Sequence, residues 1–465
     1  MQYREVFNFM ASTIERLEKN TDESFFDTYD AKVWKKVERL KRKLETILPE
    51  LFMEAKVFLE NLLTQDLLQR VEIICDKAFE EKNYDMILTI LQKMDIFLEE
   101  PVETYRLMFA DKRAGNWNGE LMEGSKCLND NFDVCNLQLL PKCACKWSHN
   151  SREKTASNTI NAYLKNCYYI SLDRLGKYKV NHIFLPEQFE RASWKHCLRI
   201  GMTPLCNMAE LDVGYFVENE TNYFEIENVQ NEKEVKEIAL NQLELAKEND
   251  VDIMMYPEML GTKCVLDALC EKLEAFVEDE KEYPGLVLCP TIWKDRKNIC
   301  VVFDREGDAI AEQEKQHAYS YPKEGNVYIE GIIPNNVINV IHCEGIGRIV
   351  ILICKDALKR EYLHMILAEL KATLILIPSF STGSYDFGEM TQMCRAYDCC
   401  ALWINTCSVG EPENIKPDRM EIKGTFLRTG KADSRMKNET LEFRNCNRED
   451  GSDCKECLYI AELLF

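Results

Sequence analysis

Three short segments in the second half of the chain carry side chains able to react together: Tyr256-Pro257-Glu258-Met259, Glu314-Lys315-Gln316-His317 and Leu352-Ile353-Cys354-Lys355-Asp356. Each places its reactive group just after an apolar run that reads as a buried strand. Together they offer a carboxylate, an ammonium and a thiol. A thiol is mostly protonated at neutral pH and needs a base, and an oxyanion needs a cation or N–H donors. The set suits covalent attack on a carbonyl or nitrile carbon. Singly, each residue has a plainer reading: Glu258 as a strand-end carboxylate, Lys315 as a solvated lysine, Cys354 as a structural thiol. Their joint order within one alternating pattern points to chemistry, because function in α/β sheets gathers at the carboxyl ends of strands.

The elements that must position these groups follow from periodicity. From about Leu198 the chain alternates strands and helices. Strands are expected at Leu198–Leu205, Val251–Tyr256, Leu286–Trp293, Cys300–Asp304, Val337–His342, Ile349–Ile353, Thr373–Ile377 and Ala401–Asn405. Helices are expected at Glu232–Asn249, Glu361–Lys371 and Phe387–Cys399, the first with Val235, Ile238, Ala239, Leu243 and Ala246 on one face. Such alternation argues for a layered α/β domain. The tail after Gly410 is polar until Cys457–Leu464, which reads as a closing strand.

Residues 1–110 read as an all-helical module. Val33, Trp34, Val37, Leu40, Leu44 and Ile47 recur at helical spacing after an Asp30 N-cap, and Leu67–Phe79 and Tyr84–Leu98 repeat the pattern. Residues 111–195 form an irregular, Cys-containing connecting region marked by Gly115, Asn116, Gly119 and Gly124. Cys127, Cys135, Cys143 and Cys145, with His149, invite a zinc reading, as do Cys446, Cys454 and Cys457, but paired CxxC knuckles are absent and structural thiols are the plainer reading. Residues 196–465 complete the expected three-part division.

Composition narrows the function classes. The formal charge is −21, with 79 acidic against 58 basic residues, which disfavours nucleic acid as a partner. The patch Lys35-Lys36 and Lys41-Arg42-Lys43 reads as a solvated helix face. No apolar run is long enough for a bilayer, and no signal peptide is visible, so a cytoplasmic protein with reduced cysteines is expected. No glycine-rich phosphate loop follows a strand.

With these residues in view, 198–410 resemble the nitrilase superfamily, the carbon–nitrogen hydrolases. Met255-Tyr256-Pro257-Glu258 looks like the family's apolar-x-Pro-Glu. The segment from Asn298 to Gly307, followed by Glu314-Lys315-Gln316-His317, looks like its strand, turn and Lys-x-His. Gly347 to Asp356 looks like its nucleophile strand, and Leu367 to Ser379, Arg395-Ala396-x-Asp398 and Trp403-Ile404-Asn405 resemble its later segments. Asp398 stands where glutamate is usual, and Lys355 follows the nucleophile where an aromatic or small residue is frequent. The family's second pocket glutamate falls to Glu324, with Glu330 competing.

The resemblance implies an α-β-β-α sandwich after the helical module, with Glu258 as general base, Lys315 as cation and Cys354 as nucleophile. Glu324, His317, Lys355, Asp356 and Arg395 would stand behind them or line the pocket, His317 as a structural neighbour. No metal or cofactor is implied. The expected partners are a small amide or nitrile, an amide first, and a second copy of the chain in a homodimer or larger homo-oligomer. The competing reading is a repurposed scaffold or oligomerisation module in a regulatory or anti-phage assembly, since nitrilase-like domains also occur fused to other modules there.

Overall fold

A computed structural model describes residues 2–22, 24–26, 39–53, 66–98, 138–145, 160–185, 188–206, 209–278, 284–381, 385–397, 399–406, 422–427, 438–443 and 454–464. The described residues up to 98, with 138–143 and 160–176, form one compact unit; 144–145 and those from 177 onward form a second.

The first unit is built on amphipathic helices. Gln2–Asn20, 39–47, Asp66–Glu80 and Tyr84–Phe97 bury Met10, Ile14, Leu17, Leu44, Val71, Ile87, Leu91 and Met94 in one core. The expected helix start at Asp30, with Val33, Trp34 and Val37, lies outside the described residues. The unit is not all helical. Leu139–Pro141 pairs antiparallel with Cys167–Tyr169, and the buried carboxylate of Asp95 accepts from the backbone N–H groups of Asn166 and Cys167. Part of the expected connecting region therefore belongs with the helices. A buried backbone donor must find an acceptor, and Asp95 supplies one from more than 70 residues away.

The second unit is built on two large sheets. The first has seven strands, with Ile253–Met255 at its centre between Cys197–Met202 and Leu286–Leu288, all three parallel. Lys297–Asp304 and Ala309–Glu314 extend it on one side, and the antiparallel closing strand Tyr459–Leu464 on the other. Helices Glu232–Glu248 and Lys263–Glu278 cover one face, packing Val235, Leu243, Leu269 and Phe276 onto Met254, Tyr256, Val287 and Phe303. The alternate residues Ile253, Met255, Leu288 and Val302 are also buried. Both faces are covered, which is why these strands read as unbroken apolar runs.

The second large sheet runs Cys400–Asn405, Leu374–Ser379, Gly347–Ile351, Val337–Cys343, Lys179–Phe184. Lys179–Phe184 was not expected as a strand. It pairs parallel with Val337–Cys343 and begins the unit well before residue 196. The sheets are tied together by Gln313, which donates to Val337 O at 3.2 Å and accepts from Asn339 N at 3.0 Å. Helices Arg360–Ala368 and Tyr385–Ala396 accompany this sheet.

The antiparallel pair Ile422–Leu427 with Asn438–Phe443 and a smaller four-stranded sheet, ordered Ser320–Lys323, Asn326–Glu330, Thr221–Gln230, Glu210–Glu218, complete the described framework. Its hairpins turn on Asn219-Glu220 and Glu324-Gly325, all at positive φ, as two-residue turns between twisted strands require. Among the described residues, no helix is long and apolar enough to cross a membrane.

Candidate active site

Glu258, Lys315 and Cys354 each lie just past the carboxyl end of a strand, Ile253–Met255, Ala309–Glu314 and Gly347–Ile351 respectively. All three are buried, and the two large sheets bring them to one place. The Glu258 N–H donates to Ser379 O, and its Oε2 accepts from Phe380 N at 2.7 Å. Phe380 also meets the third residue: the Cys354 thiol lies 3.9 Å from its carbonyl oxygen. One residue of the strand end thus touches both the carboxylate and the thiol.

Lys315 sits between two carboxylates. Its Nζ donates to Glu258 Oε1 and to Glu330 Oε2, each at 2.7 Å. Asn298 reaches the same pair through Nδ2, at 2.8 Å from Glu258 Oε1 and 3.2 Å from Glu330 Oε1. Tyr319 N donates to Glu330 Oε2 at 2.9 Å. The second glutamate is therefore Glu330. Glu324 is exposed at the tip of its hairpin with φ of 51° and is not part of the cluster. The Glu-Gly pair marks a turn that needs positive φ, not a pocket.

Burial and charge set the protonation states. Burial pushes the Glu258 carboxyl up and Glu330 adds to this, while Lys315 opposes it; the net direction is upward. Burial alone would pull the Lys315 ammonium down, but Glu258 and Glu330 outweigh it and hold it well above the ordinary lysine range. Burial pushes the Cys354 thiol up, with Glu258 adding and Lys315 opposing. Burial and Glu258 both favour the protonated thiol.

Cys354 occupies a sharp strand-to-helix turn. Its backbone stands at φ 46°, ψ −103°, unusual for a residue with a side chain, and it caps the short helix Lys355–Leu358. Asp356, buried in that turn, accepts from Gln316 N at 3.0 Å, His317 N at 2.8 Å and His317 Nδ1 at 2.9 Å. It ties the lysine segment to the turn that carries Cys354. Burial pushes its carboxyl up, partly offset by His317. His317 also meets Tyr178 Oη at 3.3 Å and packs on the Tyr362 ring, the setting of a structural histidine. Lys355 is half-buried beside the thiol.

The Arg395 side chain and Asp398 lie outside the described residues, as do Cys127, Cys135, His149 and Cys446. Cys143 and Cys454 are buried; Cys145 and Cys457 are half-buried. Asn298 is the site residue that sequence reasoning passed over. Its signal was a lone amide opening the otherwise apolar run Ile299–Phe303.

No protein-family profile and no curated protein matches this sequence. Solved structures similar to it include an amidase from Nesterenkonia sp. AN1, at 13% identity and TM-score 0.35, over 57% of this chain and 92% of that one. The C. elegans NitFhit protein is 18% identical with TM-score 0.34, over 57% and 60% of the two chains. A glutamine-dependent NAD(+) synthetase from Cytophaga hutchinsonii is 14% identical with TM-score 0.30, over 57% and 42%. At these scores the likeness is distant, and the functional reading rests on the side chains themselves.

Proposed function

We propose that the unit from residue 177 onward is a thiol hydrolase of the nitrilase type, with an α-β-β-α layering, that cleaves a carbon–nitrogen bond other than a peptide bond, an amide first. The observation that carries this is the buried Glu258–Lys315–Glu330 cluster, joined to the Cys354 thiol through Phe380. Glu258 takes the thiol proton as sulfur attacks the carbonyl carbon. An ammonium has three N–H donors, and Lys315 gives two to carboxylates. The third serves the developing oxyanion. The backbone N–H of Lys355, in the first turn of its helix and so without an intrahelical partner, is the second donor. Collapse of the tetrahedral adduct expels ammonia or an amine, which takes the proton from Glu258. Water, activated by the same carboxylate, then releases the acid from the thioester. Glu330 and Asn298 hold Glu258 and Lys315 in register.

The test is ammonia or amine release from a panel of primary and N-substituted amides. Cys354→Ala should abolish turnover and Glu258→Gln should lower kcat by roughly three orders of magnitude or more. Peptide-level mass spectrometry of iodoacetamide labelling supplies a check independent of substrate: Cys354 should be alkylated in the wild type and much more slowly in Glu258→Gln. Wild-type rates in either variant remove the triad assignment.

A further inference from the structure

The strand Leu374–Ser379 ends beside the cluster, and the residues from Pro378 to Ser381 meet both Glu258 and Cys354 through their main chain. Cys354 N donates to Pro378 O at 2.9 Å, and Glu258 N donates to Ser379 O at 3.4 Å. Phe380 N donates to Glu258 Oε2 at 2.7 Å, and Phe380 O lies 3.9 Å from the Cys354 thiol. Where the carboxylate and the thiol stand therefore depends on how this short stretch of main chain is held. Phe380 and Ser381 are half-buried and lie past the last paired residue of the strand.

The neighbouring strand Cys400–Asn405 supplies the hold. Its pairing with Leu374–Ser379 ends at Ser379↔Asn405, and Thr406 N donates to Ser379 O at 3.1 Å. Two residues further on, the buried Asn405 side chain takes over. Ser381 N donates to Asn405 Oδ1 at 2.8 Å, and Asn405 Nδ2 donates to Ser381 O at 2.7 Å. A carboxamide carries an acceptor and a donor side by side, so one side chain can hold both main-chain groups of one residue. Peptide planarity then transmits the hold, because a C=O and the following N–H share one rigid plane. The Ser379–Phe380 plane is pinned at its oxygen by Thr406 and turns its N–H to Glu258. The Phe380–Ser381 plane is pinned at its N–H by Asn405 and turns its carbonyl to Cys354.

We propose that Asn405 is a positioning residue of the site: by clamping Ser381 it sets the Phe380 peptide groups that hold the Glu258 carboxylate and face the Cys354 thiol. Its part in turnover rests on the hydrolase reading; its hold on Phe380 does not. The clamp acts on proton transfer as well as on placement. Lys315, Glu330 and the Cys354 thiol all act on Glu258, and the Phe380 N–H joins Lys315 in favouring its ionised form. Loosening Ser381 weakens that N–H contact and lifts the Glu258 carboxyl further, the opposite of what removing the Glu330 charge does.

Two measurements on the full chain test this without a substrate: amide hydrogen exchange by mass spectrometry, and the pH dependence of Cys354 alkylation by iodoacetamide. Each variant is first shown to be folded by thermal melting. In Asn405→Ala, exchange in the peptide covering Pro378 to Ser381 should quicken by about tenfold or more, while that of Ile253–Met255 stays as in wild type. Cys354 should label at least about tenfold more slowly, and the acid limb of its labelling should move to higher pH. A residue that only supports the fold would lower the melting temperature and leave the limb in place. Asn405→Asp supplies the rescue, and carries the test if Asn405→Ala does not fold. Protonated, its carboxyl again offers one donor and one acceptor; ionised, it loses the donor to Ser381 O. It should match wild type at low pH, then exchange faster and label more slowly than wild type once the carboxyl ionises. Unchanged exchange, or faster exchange with Cys354 labelling as in wild type, overturns the proposal. Failure of the hydrolase reading is separate: no amide would be turned over, while exchange and labelling still answered to Asn405.

Discussion

Two buried carboxylates share one ammonium at the centre of the cluster. Glu258 and Glu330 together hold Lys315 protonated against its burial; burial, with Glu258 adding, favours the Cys354 thiol; and burial, with Glu330 adding, raises Glu258, which in the proposed mechanism is the direction that makes a carboxylate a useful base. Glu258 must be ionised to act, so the acid limb of kcat/KM should lie above the ordinary glutamate range, with activity rising as pH rises through it. Glu330→Gln removes the like charge that lifts Glu258. The limb should then move to lower pH, while kcat falls on the order of a hundredfold because Lys315 and the Tyr319 N–H keep only a neutral acceptor and the new amide NH2 meets the Asn298 Nδ2 donor. Glu324→Gln, at the exposed turn, should leave both the profile and stability within about 0.5 kcal/mol of wild type. Equal effects of the two substitutions would contradict the assignment of Glu330.

At the scale of elements, the site depends on a join between two segments about 40 residues apart. Asp356 holds the backbone of Gln316 and His317 against the turn that carries Cys354. Asp356→Ala would leave buried N–H donors unpaired and should destabilise by about 3 kcal/mol in chemical denaturation. Asp356→Asn, similar in shape, should fold better yet lower kcat more than it raises KM, because Lys315 would be less firmly placed. A loss confined to KM would show that Asp356 only shapes the pocket. The residue was legible in the sequence as a neighbour of the nucleophile; its partner was not, because the contact is tertiary. The same limit explains the strand that was missed. Lys179–Phe184 contains Asn181 and His182, which look wrong for a buried strand. They are buried because Asn339 and His342 on the next strand receive them, at 2.9 Å in each case. The central strands were readable because their apolar runs need no partner to be recognised. The hairpin Glu210–Gln230 was not, since many of its residues are exposed or half-buried and it presents no apolar run.

For the molecule as a whole, that histidine pair is a built-in pH dependence. Burial pulls His182 down to about 3, and burial with His182 and Arg348 nearby pulls His342 well below its usual value. Both are neutral when folded and gain protons when unfolded. Their contribution is full above about pH 6.5, the ordinary histidine value, and is lost as pH falls toward the folded values. The raised carboxyls of Glu258 and Asp356 act in the opposite sense, losing stability as pH rises past the ordinary carboxylate range. Melting temperature should drop between about pH 6.5 and pH 5, and His182→Gln should flatten that drop. An unchanged slope would place the sensitivity elsewhere. A different tension lies in the nucleophile itself. At φ 46° and ψ −103°, Cys354 holds a conformation that suits glycine, at a cost of about 1–3 kcal/mol. A fold kept only as scaffolding would gain by replacing that side chain with hydrogen, so Cys354→Gly should melt higher than Cys354→Ala, and drift without selection for chemistry would favour the glycine. Under the proposed function, a thiol on that strained turn sets reactivity against robustness at a single residue.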